Sequence, residues 1–147
     1  NKGRDKVVDL LLKNGAQVNL LDKDDATALH DGAIAKSLAV IRLLLAAKID
    51  VNQRDRKKRT ALHHVALSGK SEIVKALIEA GVNVDVADIE GETALHNAAY
   101  RDHTKVVKLL LAAAASSEIK NNKGQTALDV ATKEKSERVK ALLSKGD

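Results

Sequence analysis

Histidine is the residue type in this chain with the widest chemical range, and there are five: His30, His63, His64, His96 and His103. Three of them return at a step of 33 residues (30, 63, 96), with His64 beside the second. Imidazoles that bind a metal must converge within about 2 Å of one ion. Histidines carried by successive stacked units, about 10 Å apart, are too widely spaced for that. The chain has no Cys, which removes zinc-thiolate sites, disulfides and cysteine nucleophiles together. Gly69-Lys70-Ser71 mimics the end of a phosphate-binding loop, but the required earlier Gly falls at His64 and no strand precedes it. Asp22-Lys23-Asp24-Asp25 begins like a calcium loop, yet its Gly falls at Thr27 and its bidentate Glu at Ala33. No Ser/His/Asp set or carboxylate pair stands out either. The expectation is a protein without catalysis, metal or cofactor.

The spacing of the histidines has a different origin. Thr27-Ala28-Leu29-His30 returns as Thr60-Ala61-Leu62-His63, Thr93-Ala94-Leu95-His96 and Thr126-Ala127-Leu128-Asp129, each 33 residues after the last. A fixed period of this length marks a repeat array. The units fall at 22–54, 55–87, 88–120 and 121–147, and residues 1–21 match the second half of an earlier unit. Val7-Val8 and Leu10-Leu11-Leu12 then correspond to Val40-Ile41 and Leu43-Leu44-Leu45. All 147 residues read as a single all-α domain.

Within each unit the pattern predicts two short helices. The first opens at the motif: Thr27 caps it, Leu29 faces inward and small Ala33 permits close approach. The second runs over 38–47, with apolar residues too dense for one stripe, so it should be covered on several sides. Apolar residues make up 44% of the chain, nearly all of them Ala, Leu, Val and Ile, and Tyr100 is the only aromatic residue of the Phe, Tyr and Trp class. Such side chains suit thin, closely stacked helices. The net charge of +5, from 25 basic and 20 acidic residues, describes a mixed surface and not a nucleic-acid binder. The longest apolar run, Leu109 to Ala115, is far too short to cross a bilayer, so no membrane insertion is expected. With no secretory pattern, a cytoplasmic or nuclear location is expected.

These residues resemble the ankyrin repeat, a 33-residue unit with an Asp-led β-turn, a Thr-Pro-Leu-His motif, a Gly-His pair, a Val-Val-x-Leu-Leu-Leu helix and a Gly-Ala-Asp-Val-Asn close. Asp22, Asp55, Asp88 and Asn121 occupy the opening position, and Gly15-Ala16-Gln17-Val18-Asn19 closes the first partial unit. The resemblance implies a solenoid of helix-turn-helix units joined by β-turn loops. The departures carry structural weight. Ala replaces the motif Pro at 28, 61, 94 and 127, leaving the start of the helix less fixed. Lys48 and Ala114 replace the helix-ending Gly retained at Gly15 and Gly81, and Asp25 and Lys58 replace the turn Gly kept at Gly91 and Gly124. If left-handed, such positions cost on the order of 1 kcal/mol each, so softer joints are expected after the second and fourth units. Lys140 and Ser144 stand where Ile41 and Leu45 do earlier, which suits a capping unit. Without a first helix at its start, the chain reads as a fragment.

The resemblance also implies non-catalytic binding of another protein on the concave face formed by turn tips and first helices, with the chain acting as a monomer. Mapped residue by residue, that face comprises Ile34, Leu67 and Tyr100 with neighbouring Arg101, and the turn-tip residues Lys23, Asp24, Arg56, Lys57, Arg59, Ile89, Glu90 and Glu92. Ile34, Leu67 and Tyr100 would form an exposed apolar line. Charge divides along the face, basic at Arg56-Lys57-Lys58-Arg59 and acidic at Glu90 and Glu92, which would speed encounter with a complementary partner. An engineered scaffold of the same fold and a regulatory or targeting portion of a larger enzyme are the alternative readings. The basic turn alone invites nucleic acid or nuclear import, but adjacent acidic turns and the lack of an aromatic platform weigh against both. Asn19 and Asn52, at the family's Val-Asn position, are candidates for asparagine hydroxylation.

Overall fold

The computed structural model describes residues 4–144, so the outermost residues of the 1–21 and 121–147 units lie outside the described part. It contains nine helices and no strand among the described residues. They are α1 (Arg4–Lys13), α2 (Ala28–Ile34), α3 (Leu38–Ala46), α4 (Ala61–Ser68), α5 (Ser71–Glu79), α6 (Ala94–Tyr100), α7 (Thr104–Ala112), α8 (Ala127–Lys133) and α9 (Glu137–Leu143). After α1 they alternate as first and second helices of successive units. The first helices stack in one row, α2 on α4 on α6 on α8, and the second helices in another, α1 on α3 on α5 on α7 on α9.

The motif explains why each first helix starts where it does. Thr27 is extended at φ −98°, ψ 170°, and its hydroxyl accepts from the Leu29 N–H. The His30 Nδ1 lies 3.1 Å from the Thr27 backbone nitrogen and 3.1 Å from its hydroxyl. His63 and His96 repeat this with Thr60 and Thr93. An amide N–H can only donate, so Nδ1 is bare and the proton sits on Nε2. That Nε2–H reaches a carbonyl 29 residues on: Arg59 from His30 (3.0 Å), Glu92 from His63 (3.2 Å), Gln125 from His96 (3.0 Å). Each motif histidine thus closes its own cap and ties down the next turn, buried to 2% exposure or less. Asp129 closes the Thr126 cap with one carboxylate oxygen but has no N–H to pass on.

Small residues let the rows approach. Ala33, Ala66, Ala99 and Ala131 are fully covered, and Leu29, Leu62 and Leu95 lie beneath them at 1% exposure. The second helices bring Val40, Ile41 and Leu44, then Ile73, Val74 and Leu77, then Val106, Val107 and Leu110 into the same core. The expectation of cover on several sides is met only in part for the interior units: the buried residues of α3, α5 and α7 form one stripe each, and the larger apolar residues beside it are half-buried. It is not met for α1, which buries no residue: Val7 and Leu11 are more than half exposed where their counterparts Val40 and Leu44 are buried.

A polar ladder links the units through the segments that follow the second helices. The side-chain oxygens of Asn19, Asn52 and Asp85 accept from the backbone N–H groups of Asp50, Asn83 and Ser116, 31 residues on, at 2.7–2.9 Å. The family-type asparagines therefore have a joining role here, and Asp85 performs it equally well.

The replaced glycines are indeed left-handed: Lys48 has φ 59°, Ala114 61°, Asp25 58° and Lys58 59°. Three more such residues, Lys36, Asp102 and Lys135, occupy the turn between the two helices of their units. Gly69 holds that place in the third unit, where a Cβ would lie 2.6 Å from the His103 ring. That ring is fixed by the bond between His103 Nε2 and the Leu67 carbonyl, at 3.1 Å.

Candidate functional site

The turn tips are rigid because one side chain organises each. One oxygen of Asp22 accepts the N–H groups of Asp24 and Ala26, and Asp55, Asp88 and Asn121 do the same in their own turns. Successive tips are stitched by backbone bonds, Arg56 N–H to the Asp24 carbonyl (2.8 Å), Ile89 to Lys57 (3.1 Å) and Asn122 to Glu90 (2.9 Å). Side chains add joints: Arg59 Nε lies 3.0 Å from Oδ2 of Asp88, and Asn121 Nδ2 donates to Glu92 at 2.8 Å. At the earlier joint Ala26 offers no polar group, and the free oxygen of Asp55 is instead 3.2 Å from Nε2 of His64. Burial pushes the Asp55 carboxyl up, but the Arg59 N–H and the His64 ring outweigh it and hold it below the ordinary value. His64 is held below its own ordinary value by burial, despite that carboxylate, so it stands as a neutral donor.

Between these tips and the first helices runs a groove of about 230 Å³, spanning the third, fourth and fifth units. Leu67, Tyr100 and Val130 supply its apolar side chains; Glu90, Glu92, Asn97, Lys123 and Gln125 are among its polar ones. Of the residues anticipated from sequence, the groove brings together Arg59, Leu67, Glu90, Glu92 and Tyr100. Ile34 is 58% exposed at the equivalent position of α2 but does not line it. Arg101 lies over the Tyr100 ring, 5.1 Å from its centroid. Ile89 is exposed at its turn tip.

The basic turn divides its labour. The Arg56 guanidinium donates to the Lys23 carbonyl and lies 3.6 and 3.9 Å from Asp24 and Asp25, while Arg59 is committed to Asp88. That leaves Lys57 and Lys58 as exposed cations with no carboxylate within 4.0 Å among the described residues. A position that sequence reasoning passed over also faces the groove: Asn97 and Val130, equivalent to Asp31 and His64. It lies one helical turn before the Leu67/Tyr100 position, and the i, i+3 relation was the signal available.

A larger hollow of about 720 Å³ lies beside α1 and α2, lined by Val7, Val8, Ala28, Gly32 and Val40. Between later units a first helix fills the corresponding space, so among the described residues this is a stacking face left uncovered and not a shaped site. Among the described residues no group of three His, Cys, Asp or Glu is placed to hold a metal ion.

The alternating helix rows, the capping histidines and the stitched turns are accompanied by one decisive comparison. A family model for ankyrin repeats (three copies) matches residues 1–88 and again residues 62–147. The chain belongs to the ankyrin-repeat family. None of the curated proteins compared with it matches. Ankyrin repeats are in general protein–protein interaction modules and typically non-catalytic. No described helix of this ankyrin domain is long and apolar enough to cross a membrane.

Proposed function

We propose that this ankyrin domain is a non-catalytic, monomeric module that binds another protein along its concave groove, with Leu67 and Tyr100 as the anchors. The observation that carries the reading is the exposure of these two large side chains, 36% and 45%, inside a groove whose walls are fixed by hydrogen bonds. An apolar pair held in the open by a stitched frame is suited to a partner, because little ordering cost falls on this side of the interface. Arg59 serves the groove as wall and joint, and Ile34, Lys23, Asp24, Arg56, Lys57, Ile89 and Arg101 extend the same face on either side.

The test compares proteins captured from cell lysate by the domain and by a Leu67→Asp, Tyr100→Asp variant, both first shown to be folded by circular dichroism. The reading predicts a protein held by the first and lost by the second. Equal capture by both would refute the groove as the binding face.

A further inference from the structure

The charge pattern along the groove specifies what kind of protein segment fits it. The same two positions recur in each turn, and from the third unit on all of them but Lys57 line the groove. They are Asp24 and Ala26, then Lys57 and Arg59, then Glu90 and Glu92, then Lys123 and Gln125. With Arg59 committed to Asp88, the free charges carried by the turns from the third unit to the fifth are basic at Lys57 and Lys58, acidic at Glu90 and Glu92, and basic at Lys123. The end of α8 adds the opposite charges of Lys133 and Glu134 to the groove. The acidic tip is beside the apolar floor, since Glu90, Glu92, Leu67 and Tyr100 line one groove.

The carboxylate of Glu92 is half-buried, and its one side-chain partner is the neutral amide of Asn121. Neither Glu90 nor Glu92 has a Lys, Arg or His nitrogen within 4.0 Å among the described residues, whereas the buried Asp88 one joint earlier has Arg59. A cation brought by a partner would meet two carboxylates that no positive group among the described residues holds, and at half-buried Glu92 solvent screens such a pair less than at a fully exposed site. Tyr100 is less suited to take that cation, because Arg101 already lies over its ring. The apolar and cationic contacts of a partner are therefore separated: Leu67 and Tyr100 for the one, Glu90 and Glu92 for the other.

We propose that the groove selects a protein segment carrying a lysine or arginine next to its apolar anchor, with acidic residues on both sides that meet Lys57–Lys58 and Lys123. This rests on the groove being the binding face, as proposed above. Units stack about 10 Å apart, which equals roughly seven residues of helix at 1.5 Å each or three of extended chain at about 3.3 Å each. Acidic, basic and acidic groups at one of those two intervals match the three tips.

A random peptide library displayed on phage, selected against the folded domain, tests this. Selected peptides are then synthesised and measured against the domain, the Leu67→Asp, Tyr100→Asp variant, and a Glu90→Gln, Glu92→Gln variant. Gln at 92 keeps an oxygen for Asn121, so that joint survives the loss of charge. The expected peptides carry a basic residue beside an apolar one, bind about tenfold or more weakly to the glutamine variant, and lose binding to the aspartate variant. Peptides that need Leu67 and Tyr100 but contain no basic residue, or keep their affinity within about twofold on the glutamine variant, overturn the charge pattern and leave the groove standing. Peptides indifferent to the aspartate variant, or the recovery of none, overturn the groove and the pattern together.

Discussion

Arg59 Nε lies 3.0 Å from Oδ2 of Asp88, whose side chain is only 1% exposed. The other oxygen of Asp88 accepts the N–H groups of Glu90 and Glu92, so this one carboxylate shapes its own turn and holds the preceding unit. At the next joint the same two positions are Glu92 and Asn121, with acid and donor exchanged.

The exchange predicts the outcome of a double-mutant cycle. Arg59→Glu alone places two carboxylates against each other with one of them buried, and should cost about 3–5 kcal/mol. Adding Asp88→Asn recreates the Glu92–Asn121 pair and should restore stability to within about 1 kcal/mol of the parent. Urea unfolding of the four proteins measures this; a double variant no more stable than Arg59→Glu would show that the two joints are not interchangeable.

Acid should loosen the domain before the carboxylates titrate. Burial holds both His63 and His64 below their ordinary 6.5. The unfolded chain therefore binds more protons than the folded one as pH falls below 6.5, and stability declines from there towards the folded values. The limit is about 1.4 kcal/mol per pH unit for each histidine. Asp55, held below 3.8, adds a second loss only when pH falls below that figure. Unfolding free energies between about pH 5 and 8 should slope in the parent and flatten in a His63→Gln, His64→Gln variant. An equal slope in both would remove these histidines from the account.

Backbone strain is open to correction at two helix ends. Lys48 and Ala114 are left-handed where Gly81 serves the same position without a close neighbour. Lys48→Gly and Ala114→Gly should each stabilise the domain by up to about 1 kcal/mol. Hydrogen exchange in the parent should be faster around both residues than around Gly81, and uniform protection would contradict the strain reading. Gly91 is the opposite case, because a Cβ there would meet the Asn122 backbone nitrogen at 2.8 Å; Gly91→Ala should destabilise by more than about 1 kcal/mol.

The period made the fold legible. Thr27, Leu29 and His30 act as their types and spacing suggest, because the cap and its reach to the next turn are built from the motif itself. The left-handed state of Lys48, Ala114, Asp25 and Lys58 was legible through the glycines that replace them in other units. That of Lys36, Asp102 and Lys135 was not, since only Gly69 marks their position. The line of His64, Asn97 and Val130 was hidden for a related reason: its residue types share nothing, so a periodic reading finds no pattern there. The commitment of Arg59 to Asp88 was also invisible, because it joins residues 29 apart whose types change from joint to joint.

The central claim is that a partner protein lies in the groove between the turn tips and the first helices. Hydrogen exchange of the domain, alone and with the protein it captures, tests that most directly. Slowed exchange on binding should be confined to the turns at 56–59, 89–92 and 122–125 and to α4, α6 and α8, the elements that line the groove. Slowing on α5 and α7, with those turns unchanged, would put the partner on the outer face and contradict it.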